Sequence, residues 1–193
     1  MRIVAGEARG RRIASVEGVD VRPTMDRVRE AIFNSLTSHG LVEDRVMADL
    51  FAGSGALGLE ALSRGAARVV FADSDRRAVT VVESNLATFG FAARARVHRG
   101  DGVALARTLD GIDVALCDPP YAFDAWPDLL EVLAERGVEA VVVESDRAVE
   151  PGEPWAVLKQ QRYAGTVVTI ARRGDGARPM RGGAPADQED NPT

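Results

Sequence analysis

The sequence has only one cysteine, Cys117, and two histidines among its 193 residues. A single cysteine excludes a disulfide framework and a cysteine-based zinc site. It is typical of a reducing compartment, so we predict a cytoplasmic protein without a bound metal. Long apolar runs are also absent. No run approaches the roughly 20 residues of a membrane-spanning helix, and the N-terminus lacks the apolar core of a signal peptide, so no contact with a membrane is expected.

Positive charge is in deficit, because 24 basic residues face 29 acidic residues and give a formal net charge of −5. An acidic chain is poorly suited to sequence-blind binding of nucleic acid, which draws on many phosphate contacts. The first twelve residues differ, since four arginines against one glutamate sum to +3. The composition is therefore compatible with a local basic arm that holds one RNA.

The length and the 46% apolar fraction are typical of one globular domain with small extensions. Two short β-like runs at 2–5 and 11–15 flank a glycine-containing turn and predict a hairpin, and a helix is expected from its N-cap Thr24 to Gly40. Beyond residue 40, strands alternate with helices, which indicates a parallel sheet covered on both faces. The expected strands are 46–50, 68–73, 96–99, 112–117 and 140–144, and the expected helices are 56–64, 76–89, 102–108 and 125–136.

Two further β-rich runs complete the predicted domain. Residues 155–160 and 166–172 have no helix between them, so they should pair antiparallel at one edge of the sheet. We therefore predict an α/β, Rossmann-like fold with a mostly parallel seven-stranded sheet and an antiparallel edge. An N-terminal extension spans 1–40, the main domain spans 41–173, and a tail predicted to be disordered spans 174–193.

A glycine-rich segment follows the first strand of the main domain. Gly53, Gly55 and Gly58 fit the pattern G-x-G-x-x-G between a strand and a helix, where a tight turn and a bare backbone admit a nucleotide-like ligand. Further on, the second strand ends at Asp73, whose carboxylate can accept hydrogen bonds from ribose hydroxyls. Asp49 would repel a pyrophosphate but suits the ammonium group of a methionine moiety. These features favour S-adenosylmethionine over a dinucleotide.

Asp101, which follows the strand at 96–99, has two interpretations. Its carboxylate can accept a hydrogen bond from the exocyclic amine of the adenine. Alternatively, it is the N-cap of the helix at 102–108.

The tetrad Asp118-Pro119-Pro120-Tyr121 follows the strand at 112–117. Ligands of open α/β sheets bind at the carboxyl ends of the strands, and prolines hold neighbouring acceptors in a rigid arrangement. The Asp118 carboxylate and the Pro119 carbonyl can accept both hydrogens of an aryl amine and direct its lone pair at a methyl group. Tyr121 offers a face on which a planar base can stack, which is worth roughly 1–3 kcal/mol. The tetrad therefore predicts methyl transfer to an amino group.

Residues 49–55 together with 118–121 resemble the class I S-adenosylmethionine-dependent methyltransferases that act on amino groups. The segments 1–6, 9–11, 22–24, 26–30, 33–34 and 49–61 are similar to one subfamily, which methylates the exocyclic N2 of a guanine in a hairpin loop of 16S ribosomal RNA. The resemblance covers roughly residues 1–172. It implies that the partner is 16S ribosomal RNA in the small subunit or in an assembly intermediate. A monomer is the default expectation for the oligomeric state.

The residue arguments and the resemblance together imply three groups of site residues. The expected catalytic residues are Asp118, Pro119 and Tyr121. The expected cofactor-binding residues are Asp49, Phe51, Gly53, Gly55, Asp73, Asp101 and Gly102. The expected RNA contacts are Arg9, Arg11, Arg12, Arg22, Thr24 and Arg27, with Arg29 nearby.

Four other functions share part of this pattern. A protein methyltransferase acting on a glutamine amide uses a related tetrad that begins with Asn, and a DNA adenine methyltransferase uses similar chemistry. A dinucleotide-dependent oxidoreductase would use the glycines but not the tetrad. A non-catalytic S-adenosylmethionine-binding assembly factor of the ribosome would also carry the glycine loop. Glu144 ends a strand on the ligand side of the sheet but is not assigned to the site.

Overall fold

Seven strands form a single sheet in the computed structural model, which describes residues 1–16 and 23–174. The strands are β1 (Val46–Asp49), β2 (Arg68–Asp73), β3 (Ala95–Arg99), β4 (Val114–Cys117), β5 (Ala140–Ser145), β6 (Trp155–Tyr163) and β7 (Thr166–Arg173). Their order across the sheet is β3-β2-β1-β4-β5-β7-β6. The first five strands are parallel, and β7 pairs antiparallel with both β5 and β6. The predicted α/β fold with an antiparallel pair at one edge is confirmed.

Helices cover both faces of the sheet. They are α1 (Pro23–Ser38), α2 (Ala56–Ser63), α3 (Arg76–Phe89), α4 (Gly102–Ala106) and α5 (Trp126–Glu135). One apolar cluster joins the first three helices to the sheet, and a second cluster joins α4 and α5 to the other face. None of the helices within the described residues is long and apolar enough to cross a membrane.

The ends of the helices follow local chemistry. Helix α3 begins after Asp75, whose side chain accepts a hydrogen bond from the Arg77 amide at 2.8 Å, and it ends at Gly90. Helix α4 ends earlier than predicted, because the amide of Thr108 bonds to the carbonyl three residues back instead of four. Helix α1 begins at Pro23, so Thr24 lies inside its first turn and is not its N-cap, contrary to the prediction.

The predicted N-terminal hairpin is present as one isolated antiparallel bridge between Arg2 and Arg12. It does not extend into two strands because the backbone amides of this segment bond to side chains of the helices. The buried Glu60 carboxylate of α2 accepts hydrogen bonds from the amides of Val4 and Ala5 at 2.8 and 3.0 Å. The N-terminal segment is therefore attached to α2 by a buried charge.

Two sequence predictions fall on undescribed residues. Arg22 lies between the two described ranges, and the predicted disordered tail lies outside them from residue 175 onward.

Candidate active site

A cavity of about 530 Å³ opens at the carboxyl ends of the parallel strands. This is the edge at which ligands of open α/β sheets bind. The cavity brings together most of the predicted cofactor-binding residues and all three predicted catalytic residues. Of the predicted residues, it is lined by Phe51, Gly53, Asp73, Asp101, Gly102, Asp118, Pro119 and Tyr121.

The loop between β1 and α2 has the tight turn that its glycines predict. Gly53 and Gly55 have φ angles of 54° and 79°, a region that side chains other than glycine adopt with strain. The Gly53 amide donates to the Asp73 carboxylate at 2.8 Å, which joins the loop to the end of β2. Gly55 is buried against Val82 of α3 and does not line the cavity. The structure therefore gives Gly55 a role in shaping the loop instead of a place on the cavity wall.

Asp49 lies at the end of β1 and is 1% exposed. One carboxylate oxygen accepts from the Gly58 amide at 2.9 Å, whereas the other, Oδ1, is buried without a hydrogen-bond partner. Burial raises the pKa of Asp49 to about 7, and the nearby charge of Asp73 contributes to the rise. Asp49 lines a second cavity of about 200 Å³, whose wall also includes Asp118. An unpartnered buried carboxylate oxygen of this kind fits a cationic ligand group.

Asp73 and Asp101 both combine a local structural bond with a place on the cavity wall. The Asp73 carboxylate accepts from the amides of Gly53 and Asp75, each at 2.8 Å. Asp101 is exposed and caps α4 by accepting from the Ala104 amide at 2.8 Å. The capping interpretation of Asp101 is confirmed, and its contact with an adenine stays a prediction.

The Asp118–Tyr121 tetrad follows β4 directly, and all four residues line the large cavity. Burial raises the pKa of Asp118 well above its ordinary value, and the charges of Glu144 and Asp49 raise it further. Tyr121 is 55% exposed, an unusual position for a large aromatic side chain. The tetrad therefore presents a half-buried acceptor beside an accessible aromatic face.

Several cavity residues were not assigned from the sequence. Glu144 of β5 and Thr166 of β7 line the wall near Asp118, and Val28 of α1 contributes from the N-terminal extension. The turn 163–165 between β6 and β7 also lines the cavity. The position of Glu144 near the carboxyl end of a parallel strand was the signal that could have identified it.

The predicted RNA contacts are dispersed. Arg9, Arg12 and Arg27 are exposed, and Arg27 precedes the cavity-lining residue Val28. Arg29 does not fit the prediction, because it is 3% exposed and its guanidinium pairs with Asp26 and Glu60. A buried guanidinium that is fully engaged by the protein is not available to RNA.

Arg11 has a structural role that the sequence analysis missed. Its guanidinium donates to the carbonyls of Thr88 and Phe89 in the last turn of α3, and it stacks over the Phe89 ring at 4.6 Å. Helix α3 begins at the cavity edge and returns across the sheet for 14 residues, or about 21 Å. Arg11 therefore lies near the edge opposite the cavity, and its contact with RNA stays a prediction.

Within residues 1–16 and 23–174, no group of three or more His, Cys, Asp or Glu side chains is arranged to hold a metal ion.

The chain matches the protein family described as Conserved hypothetical protein 95 over residues 1–172. It is 37% identical to the Bacillus subtilis protein YlbH over 186 residues, which covers 90% of this chain and 99% of that protein. It is 35% identical to Ribosomal RNA small subunit methyltransferase D of Escherichia coli over 175 residues, 86% of each chain.

Solved structures show the same fold. The Escherichia coli protein yhhF superposes with a TM-score of 0.79 at 32% identity, and the match covers 90% of this chain and 97% of that one. An RNA methyltransferase from Salinibacter ruber in complex with S-adenosyl-L-homocysteine has a TM-score of 0.61 at 19% identity, covering 83% of this chain and 97% of that one. The second comparison is a likeness of fold alone.

Proposed function

The chain belongs to the family described as Conserved hypothetical protein 95, and from this membership and the cavity we propose that it methylates ribosomal RNA of the small subunit with S-adenosylmethionine. The relative named Ribosomal RNA small subunit methyltransferase D supports this substrate class. At finer detail, the proposed target is the exocyclic N2 amine of a guanine in a 16S hairpin loop.

The residues around the glycine loop fit S-adenosylmethionine. The unpartnered Oδ1 of Asp49 suits the ammonium group of the methionine moiety. Asp73 lines the cavity at the end of β2, which supports its proposed contact with the ribose hydroxyls. Asp101 and Gly102 line the part of the wall proposed for the adenine. When bound, the cofactor supplies an electrophilic methyl group on a positively charged sulfur.

The observation that carries the proposed reaction is that the tetrad lines one cavity with five of the seven residues proposed to bind the cofactor. The Asp118 carboxylate and the Pro119 carbonyl accept the two N2 hydrogens and orient the nitrogen. Binding of these donors favours the ionised form of Asp118, which burial disfavours in the free protein. With the cofactor bound, Asp118 and Pro119 would hold the nitrogen so that its lone pair could form the N–C bond while the C–S bond breaks and leaves its electron pair on sulfur. The methylated nitrogen then releases a proton to Asp118 or to solvent. Because no side chain becomes covalently attached to the substrate, positioning of the nitrogen provides most of the rate acceleration.

A loop guanine suits this site because an unpaired base costs little to extrude. The exposure of the Tyr121 ring supports the proposal that the base stacks on it. The N-terminal extension, residues 1–40, would then contact the surrounding RNA through the exposed side chains of Arg9, Arg12 and Arg27.

The test uses radiolabelled S-adenosylmethionine and small ribosomal subunits from a strain that lacks the corresponding gene. We expect one labelled nucleotide, an N2-methylguanine in a 16S hairpin loop. Asp118→Ala should lower methyl transfer by about 10²–10³-fold, because it removes an acceptor that orients the nitrogen, while cofactor affinity is retained. The exposed Asp124→Ala is the matched control. DNA and a protein with a glutamine substrate are offered in parallel reactions. Labelling of either one instead of RNA, or full activity of Asp118→Ala, would contradict the proposal.

A further inference from the structure

Two acidic side chains meet at the ends of neighbouring strands. Cys117 of β4 pairs with Val143 of β5, so the next residues, Asp118 and Glu144, lie side by side on strands about 4.8 Å apart. Both line the large cavity with Pro119. Asp118 lies one residue beyond β4, so its position next to Glu144 follows from the register at the end of the ladder, and the charge of Glu144 acts on it.

Within residues 1–16 and 23–174, no cationic side chain forms an ion pair with Asp118 or Glu144. Burial raises the pKa of both groups, and the charge of Glu144 raises the pKa of Asp118 further. The Thr166 hydroxyl partly offsets the rise at Glu144. Only Glu144 has a protein donor, the Thr166 hydroxyl, so the two adjacent carboxyl groups retain acceptor capacity that N–H groups of a ligand can use.

The common bases differ in what stands beside the exocyclic amine. Guanine carries the N1–H donor next to its 2-amine. Adenine and cytosine carry a ring-nitrogen acceptor next to theirs, and the amide of a glutamine side chain has no ring donor at all. Enzymes that extrude a base read it by hydrogen bonds to this edge.

We infer that Glu144 accepts a hydrogen bond from N1–H of the target guanine and thereby selects guanine over other amino-bearing bases. This inference rests on the proposed function. Asp118 and Pro119 hold the two N2 hydrogens, and Glu144 holds the third donor of the same edge. In adenine or cytosine, a ring-nitrogen acceptor takes the position of N1–H and is repelled by the Glu144 carboxylate. A site whose polar group is left without a partner strongly disfavours such a base relative to guanine.

The experiment compares guanine with 2-aminopurine at the target position. 2-Aminopurine keeps the 2-amine but has an acceptor at N1 and lacks the 6-oxo group. The base is introduced into the free RNA hairpin and into the reconstituted small subunit. The comparison uses the one that the wild-type chain methylates. We expect Glu144→Gln to lower kcat/KM for guanine about tenfold to a hundredfold. The kcat/KM of Glu144→Gln for 2-aminopurine should equal or exceed that of the wild type, because the glutamine amide can donate a hydrogen bond to N1. The 6-oxo difference is the same for both enzymes and cancels in the ratio.

Glu131→Gln, on the exposed surface of α5, is the matched control and should leave the guanine preference unchanged. Cofactor affinity, measured by calorimetry, should be the same in wild type and Glu144→Gln. An equal loss for both bases, an unchanged preference, or a loss of cofactor binding would overturn the inference while the proposed function stands. Absence of N2 methylation by the wild-type chain would overturn the proposed function and this inference with it.

Discussion

At the scale of single residues, Asp49 shows opposing demands of burial and binding. Its carboxyl group is kept from water, has one amide partner and holds a pKa near 7. A protonated Asp49 cannot hold an ammonium group by charge. Ligand binding and ionisation of Asp49 are therefore linked.

From this linkage we predict that affinity for S-adenosylmethionine rises with pH between about 5.5 and 7.5, because the ionised fraction of Asp49 grows through its raised pKa. The rise is at most about tenfold per pH unit for one titrating group. Asp49→Asn should weaken binding and flatten the dependence, as measured by calorimetry across this range. Asp124→Asn, an exposed control, should keep the wild-type slope. If the affinity of the wild type does not change with pH, Asp49 does not bind the ammonium group through its charge.

The arginines show that residue type alone does not assign a role. Arg11 and Arg29 belong to segments that resemble an RNA-modifying family, and Arg12 directly follows one of them. Among these three, only Arg12 is exposed and forms no ion pair or carbonyl hydrogen bond through its side chain within the described residues. Arg29 neutralises the buried Glu60, and Arg11 caps the C-terminal end of α3, where positive charge is favourable. Burial and partners decide which cation is available.

At the scale of elements, helix α2 lies unusually close to strand β2. A Cβ atom placed on Gly58 would lie 2.2 Å from Cε1 of the Phe71 ring and 2.9 Å from the Val69 side chain. Both side chains are in the buried core, so the neighbours have little room to move. This packing places the start of α2 and the glycine loop against the end of β1.

We expect Gly58→Ala to lower the free energy of unfolding by about 1–3 kcal/mol, as overpacking of a core does. Helix propensity alone predicts the opposite sign, a gain of about 1 kcal/mol. Urea denaturation measures the difference. Gly165→Ala is the control, because its Cβ would meet no atom within 4 Å. Stabilisation by Gly58→Ala would show that α2 can move away from the sheet.

At the scale of the whole molecule, charge is segregated. The net charge is −5, and acidic side chains gather in the two cavities that share Asp118. Asp73 and Glu144 line the first cavity, and Asp49 lines the second. An acidic cavity suits a cationic cofactor but repels phosphates. RNA binding must then draw on cations outside the cavity.

We predict that Arg12→Ala and Arg27→Ala each reduce the salt dependence of RNA binding, by about one in the slope of log K against log salt, because each removes one phosphate contact. Filter binding at several salt concentrations measures the slope. Arg107→Ala, an exposed arginine after α4, should leave it unchanged. Unchanged slopes for Arg12→Ala and Arg27→Ala would exclude these side chains as phosphate contacts.

Arg11→Ala should instead lower the free energy of unfolding by about 1–2 kcal/mol, since the hydrogen bonds of its guanidinium lie within the protein.

Sequence alone determined the order of the elements and the location of the cavity. Periodicity and turn residues are local, so β2 and α3 were predicted with the bounds that the structure shows. Residues at the carboxyl ends of parallel strands must share one edge, so the sequence alone predicts that Asp73 and Asp118 lie in one site, and both line the cavity.

Only the tertiary structure decided what each side chain meets there. The pairing of Asp118 with Glu144 depends on the sheet register, and the unpartnered oxygen of Asp49 depends on how α2 packs over β1. The burial of Arg29 likewise depends on α1 meeting α2. These contacts join residues that are far apart in sequence, and desolvation changes a charge only after distant segments have closed around it.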